Sequence, residues 1–169
     1  SQYKKAMEST DSSILVCGGT GCVANGSLEV YKRFEKVLLD RDIHVTLDML
    51  IEGENHSGCT VETSGCHGFC QKGPLVCIEP QGILYTRVRP EDVEEIVEKT
   101  VISGEPVRRL LYHDPDTNEV SLTEDSIPFY AHQKRVTLGN CGRINPEDIR
   151  QYIARGGYLA YTKALETMS

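Results

Sequence analysis

The chain has 169 residues, 39% of them hydrophobic and 25% charged, with a formal net charge of −7. This is the composition of a folded globular chain, and its acidity argues against nucleic acid, which selects clustered Lys and Arg. No apolar run approaches the ~20 residues of a membrane-spanning helix, and Ser1-Gln2-Tyr3-Lys4-Lys5 lacks the apolar core of a secretory signal. The expectation is a cytoplasmic protein with no membrane insertion. Seven cysteines, an odd number, suit a reducing compartment in which thiols act as ligands better than a closed disulfide framework.

In chain order, residues 1–12 read as an N-terminal extension. Ile14-Leu15-Val16 predicts a short buried strand that runs straight into Cys17. A helix is predicted after Gly26-Ser27, with Leu28, Tyr31, Phe34 and Leu38 along one face. Val45, Leu47, Met49 and Ile51 then alternate as a half-buried strand, and the polar stretch from Glu52 to Gly58 interrupts, placing Cys59 in a polar loop. Leu75-Val76-Cys77-Ile78 and Ile83 to Val88 flank Glu79-Pro80-Gln81-Gly82, a hairpin turn by its Pro and Gly. Pro90 opens a second helix whose inner stripe is Val93, Ile96, Val97, Thr100 and Val101, and which Gly104 stops. The order βαβ, ββ, α is that of an α/β, thioredoxin-like domain, placed at residues 13–111.

Residues 112–127 are polar and turn-rich and read as a linker. From 128 to 169 a second unit begins: Asn145 is placed to cap a helix with Pro146 at its first position and Ile149, Tyr152 and Ile153 on one face, and Leu159 to Met168 predicts another short helix. Two short helices cannot bury much core alone.

Four cysteines carry the chemistry. Cys17-Gly-Gly-Thr-Gly-Cys22 and Cys66-His-Gly-Phe-Cys70 each sit in a glycine-rich loop where a strand ends or a helix begins. Thiolates are ligands that iron and zinc favour, and glycine lets backbone N–H groups approach inorganic sulfide. The pattern points to an iron–sulfur electron carrier. Structural zinc is the rival, although zinc knuckles favour Cys-x2-Cys. Neither pair has the Cys-x-x-Cys spacing of a thioredoxin dithiol. Gly19-Thr20-Gly21-Cys22-Val23-Ala24, with Asp42 further on, fits the G-x-G-x-x-A dinucleotide fingerprint, but cysteines bracketing the loop argue against phosphate binding. Of the remaining cysteines, Cys77 reads as core, Cys59 as a spare or idle thiol, and Cys141 as a turn residue. His67 is read as lying behind the ligands or at the surface, and Phe69 as a shield against water or a core residue.

Taken together, Val16 to Cys22, Gly65 to Pro74 and Arg89-Pro90-Glu91-Asp92-Val93 resemble the thioredoxin-like [2Fe-2S] ferredoxin domain at the N-terminus of flavin-containing subunits. Such subunits occur in NAD(P)-dependent, often electron-bifurcating, hydrogenases and in relatives of the NADH dehydrogenase of complex I. Gln133 to Ile144 and Tyr152 to Tyr158 look like the lead-in to the flavin and NADH domain of such a subunit. The resemblance implies a [2Fe-2S] cluster on Cys17, Cys22, Cys66 and Cys70, with FMN, NAD(P)H and a [4Fe-4S] cluster expected only in domains beyond this chain. It implies one-electron relay with no catalytic residue of its own. Expected partners are the other subunits of a hydrogenase or NADH dehydrogenase complex, and a ferredoxin. The bland alternative is a zinc-stabilised docking or assembly domain without a redox role.

Overall fold

A computed structural model describes residues 12–41, 43 and 58–168. Strand β1 (Ser12–Cys17) is followed by a single helical turn, α1 (Thr20–Ala24), and by helix α2 (Ser27–Asp40). Strands β2 (Cys59–Ser64), β3 (Val76–Glu79) and β4 (Ile83–Tyr85) complete a four-stranded sheet in the order β2-β1-β3-β4. β1 and β2 are parallel, with Cys17 level with Ser64, while β3 runs antiparallel to both β1 and β4. The parallel pair therefore ends both of its strands at one edge, where the two cysteine loops begin.

Alternation along the strands divides the core in two. Ile14, Val16, Cys59, Val61, Val76, Ile78, Ile83 and Tyr85 face the helices and pack on Val30, Phe34, Val37 and Leu38 of α2. Helix α3 (Val93–Ile96) joins them with Val93 and Ile96, then widens into π geometry over Val97–Ile102. The inner face of α2 is Val30, Phe34, Val37 and Leu38, whereas Leu28, placed on that face by the periodicity, is 41% exposed. Tyr85 ties the end of α3 to the sheet: its hydroxyl lies 2.5 Å from Thr100 Oγ1 and accepts the Val107 N–H at 2.9 Å.

One strand of the sheet falls where the sequence reading has a polar loop at Cys59. The alternating stretch from Val45 to Ile51 lies outside the described residues, as does Asp42. The strand paired parallel to β1 is Cys59–Ser64, and Cys59 is a buried core residue instead of a loop thiol. Its Val and Thr content suits a pleated surface, a signal masked by Glu62 and by the polar run before it.

The stretch 112–127 is not a free tether. Strands β5 (Tyr112–His113) and β6 (Val120–Ser121) form a small hairpin, and flanking residues bond to the outer strand: Leu84 N–H to the Leu122 carbonyl at 3.0 Å and Thr86 N–H to the Leu110 carbonyl at 2.7 Å. Tyr112, Ile127 and Tyr130, the last from the turn α4 (Pro128–Ala131), cover the second sheet face and pack with Leu15, Cys17, Cys22, Phe69, Leu75, Cys77 and Leu84. Helix α5 (Ile149–Ala154) starts one turn later than Asn145: Asp148 caps it, accepting the Arg150 N–H. Its inward residue is Gln151, 2% exposed, which donates to Glu62 at 2.6 Å. Ile149, Tyr152 and Ile153 instead face outward at 58%, 40% and 50% exposure. Helix α6 (Leu159–Thr167) has no buried residue.

Candidate iron–sulfur site

Both cysteine loops leave the same sheet edge. Cys17 closes β1, with its N–H bonded to the Leu75 carbonyl at 3.0 Å, and Gly18 N–H bonds to the Ser64 carbonyl at 2.9 Å. Cys22 sits in α1; Cys66 and Cys70 lie in the loop after β2, Cys70 opening a short 3-10 turn, Cys70–Lys72. Cys17 and Cys22 are buried, while Cys66 and Cys70 are exposed. The site thus has an inner and an outer pair.

Glycine makes the approach of the loops possible. A methyl group on Gly19 would stand 2.8 Å from Cys66 Sγ, one on Gly21 would stand 3.1 Å from Cys70 Sγ, and one on Gly73 would stand 2.6 Å from Cys22 Sγ. Gly68, at φ +83, turns the second loop so that its N–H donates to Cys66 Sγ at 3.3 Å. Among the described residues no three His, Cys, Asp or Glu side chains are grouped as one metal ion would need. The thiols are close enough to act on one another's ionisation, Cys17 with Cys22 and Cys66 with both Cys17 and Cys70.

The electrostatics follow from this crowding. The Cys22 thiol donates to Cys17, which holds the Cys17 pKa down to about 5 against the opposing effect of burial. The same bond, with burial, pushes Cys22 far up. Burial raises Cys66 as well. One thiolate therefore forms readily, while Cys22 and Cys66 hold their protons until a cation compensates their charge, the coupling of deprotonation to metal uptake that thiolate sites require. The donor set and the glycine cradle fit an iron–sulfur cluster, which Cys17, Cys22, Cys66 and Cys70 would hold.

His67 is enclosed. Its ring, 1% exposed, has Nε2 at 3.2 Å from Ser64 Oγ and Nδ1 at 3.6 Å from Glu124 Oε2, and Gly142 closes over it, leaving no room for a Cβ. Burial lowers its pKa, so the ring is neutral. Glu124 is paired in turn with Arg135. The tail is thereby joined to the second cysteine loop, as it is by Gly65 N–H donating to the Ile144 carbonyl at 3.3 Å.

Phe69 anchors an aromatic group that sequence reading missed. It stacks on Phe129 at 4.6 Å and meets Tyr130 edge-on at 5.5 Å and Tyr112 at 5.6 Å. The one signal in the sequence was Phe129-Tyr130 beside a proline in an otherwise polar stretch. Cys77 is core, as its alternation predicted, and Cys141 lies in a turn against Gly65. Cys59 and Cys77 stay protonated, pushed up to about 12 chiefly by burial.

An open α/β sheet with four thiols gathered from glycine loops at one edge defines a ferredoxin-class protein. Residues 2–101 match the family described as thioredoxin-like [2Fe-2S] ferredoxin, and the chain belongs to it. Its cofactor is a [2Fe-2S] cluster and not the zinc ion that four thiolates also allow. The chain is similar to a 2Fe-2S ferredoxin of Aquifex aeolicus (strain VF5), 38% identical over 91 residues, which are 53% of this chain and 71% of the relative. A 2Fe-2S ferredoxin of Clostridium pasteurianum is 36% identical over 89 residues, 53% of this chain and 76% of the relative. Among solved structures, a thioredoxin-like [2Fe-2S] ferredoxin from Aquifex aeolicus covers 59% of this chain and 87% of its own at 33% identity, with a TM-score of 0.46. No helix among the described residues is long and apolar enough to cross a membrane.

Proposed function

We propose that Cys17, Cys22, Cys66 and Cys70 hold the [2Fe-2S] cluster and that the chain relays single electrons as the N-terminal part of a flavin- and NAD(P)H-dependent hydrogenase or NADH dehydrogenase subunit. When bound, the cluster supplies a one-electron couple that makes and breaks no bond to substrate. The chain's part is to bind it, wall it from water on the sheet side and leave one side open. Cys17 and Cys22 close the inner side, Phe69 and the tail aromatics exclude solvent, and the exposed Cys66 and Cys70 form the side at which electrons enter and leave.

The observation that carries the ligand assignment is the glycine cradle, in which Gly19 and Gly73 face Cys66 and Cys22 at distances no side chain tolerates and Gly21 faces Cys70 nearly as closely. The subunit context is supported by the apolar surface of the tail: Val136, Leu138, Ile149, Ile153, Leu159 and Leu165 are between 50% and 79% exposed, as residues are that more protein covers. Partners are the remaining subunits of such a complex, and a ferredoxin is a fitting external donor or acceptor. The test is to follow cluster reduction by EPR. Dithionite should reduce the isolated chain and NADH should not, whereas NADH should reduce the same cluster once the flavin-bearing remainder of the subunit is present. Rapid reduction of the isolated chain by NADH would overturn the relay assignment.

A further inference from the structure

Tyr130 lies outside residues 2–101, the part of the chain that matches the ferredoxin family, yet it is built into the cysteine site. Its side chain packs with Cys17, Cys22 and Phe69 and is 5% exposed. Phe69, immediately before Cys70, meets its ring edge-on at 5.5 Å, and the Arg135 guanidinium lies over the ring at 5.0 Å from its centre. The ring is therefore fixed. Its hydroxyl, in contrast, is fully enclosed and has no hydrogen-bond partner in the protein.

A buried hydroxyl without a partner is costly, and phenylalanine would fill the same space without that cost. The surroundings show what the hydroxyl faces. The cluster that buries its ring takes in Cys17, Cys22 and Cys77, so apart from the Tyr112 hydroxyl the heteroatoms of its side chains are sulfurs. The phenol is a donor, and these sulfurs are the acceptors at hand.

We infer that Tyr130 donates a hydrogen bond to a sulfur of the [2Fe-2S] centre and thereby sets its reduction potential. The inference rests on the assignment of the cluster to the four cysteines. A donor to sulfur stabilises the more negative, reduced centre, because added electron density falls largely on the sulfurs. The residue positions and tunes; it transfers nothing. The consequence is that the segment after the ferredoxin unit contributes to the electronic properties of its cofactor.

The experiment compares Tyr130→Phe with Tyr85→Phe, which removes a buried phenol oxygen on the opposite sheet face, in reconstituted protein. Potentiometric EPR should give a more negative midpoint for Tyr130→Phe and an unshifted one for Tyr85→Phe. ENDOR on the reduced protein, in H2O and then D2O, should show an exchangeable proton coupled to the cluster that is missing in Tyr130→Phe only. If Tyr130→Phe loads too little cluster to titrate, 3-fluorotyrosine at position 130, a stronger donor of the same shape, should move the midpoint to less negative values. An unshifted midpoint, or a coupled proton that persists in Tyr130→Phe, overturns the inference while leaving the cluster assignment standing. Absence of a [2Fe-2S] EPR signal in the wild type would instead sink the assignment beneath it.

Discussion

Gly73 faces Cys22 so closely that a methyl group on its α-carbon would stand 2.6 Å from the sulfur. Gly73→Ala must therefore displace either the thiol or the turn after Cys70. Displacing a ligand or its immediate support weakens metal binding by about 10–100-fold, so iron content after reconstitution should fall sharply while the far-UV circular dichroism is kept. Full iron loading in Gly73→Ala would show that Cys22 is not a ligand in the position seen here.

Serine is a poor replacement for a thiolate in an iron–sulfur site. Cys17→Ser, Cys22→Ser, Cys66→Ser and Cys70→Ser should each lower iron content or alter the EPR signal. Cys59→Ser, Cys77→Ser and Cys141→Ser should leave both intact. Iron analysis beside EPR checks this, and complete retention in any of the first four would contradict the ligand set.

Cys59 and Cys77 give a pH prediction. Both thiols are pushed from an ordinary 9.0 to about 12 by burial. Their folded pKa values are raised, so the stability they contribute is fully present below pH 9 and drains away between pH 9 and about 12, where the unfolded chain releases protons that the folded chain retains. Urea midpoints should fall across that window, and fall less in Cys59→Ala and Cys77→Ala, which start from lower stability. At pH 8 neither thiol should react with iodoacetamide in the native protein, as read by mass spectrometry.

Tyr85→Phe removes the acceptor of the buried Val107 N–H and the partner of Thr100 Oγ1. Leaving a buried donor unsatisfied costs about 1–3 kcal/mol, and thermal unfolding should show a loss of that size. An unchanged melting temperature would mean that solvent reaches the Val107 amide.

The midpoint of the wild-type centre is expected on the order of −300 to −400 mV, in the range of all-thiolate clusters and well below His-ligated ones. His67 is enclosed between Ser64, Glu124 and Gly142. A midpoint near zero would place a nitrogen on the iron in spite of that.

What could be read from sequence was what local pattern encodes. Cys17 at a strand end, the inner stripe of α3 and the Pro80-Gly82 turn each follow from residues a few places apart, and the structure has them. Cys59 and Tyr130 were opaque because their surroundings come from distant segments. β2 owes its burial to β1 and α2, and its outward Glu62 finds Gln151 at a separation of 89 residues. Ile149, Tyr152 and Ile153 share a face of α5 as the periodicity predicts, yet that face is outward, because amphipathicity tells which residues share a face and not which way that face points. His67 was left undecided between shielded and exposed for a similar reason: the groups enclosing it, Glu124 and Gly142, lie far along the chain.

The tail's cover over the second sheet face also bears on where this protein can be cut. Trimming to the family match, after Val101, would remove Tyr112, Ile127 and Tyr130 and uncover Leu15, Cys77, Leu84 and Phe69. Burial of each such side chain stabilises by roughly 1.5–3 kcal/mol, so the shortened chain would be aggregation-prone and its cluster open to oxygen. The independently folding piece is expected to be longer than the recurring sequence unit, and a deletion series intended to isolate the redox centre should stop no earlier than the end of α5 at Ala154.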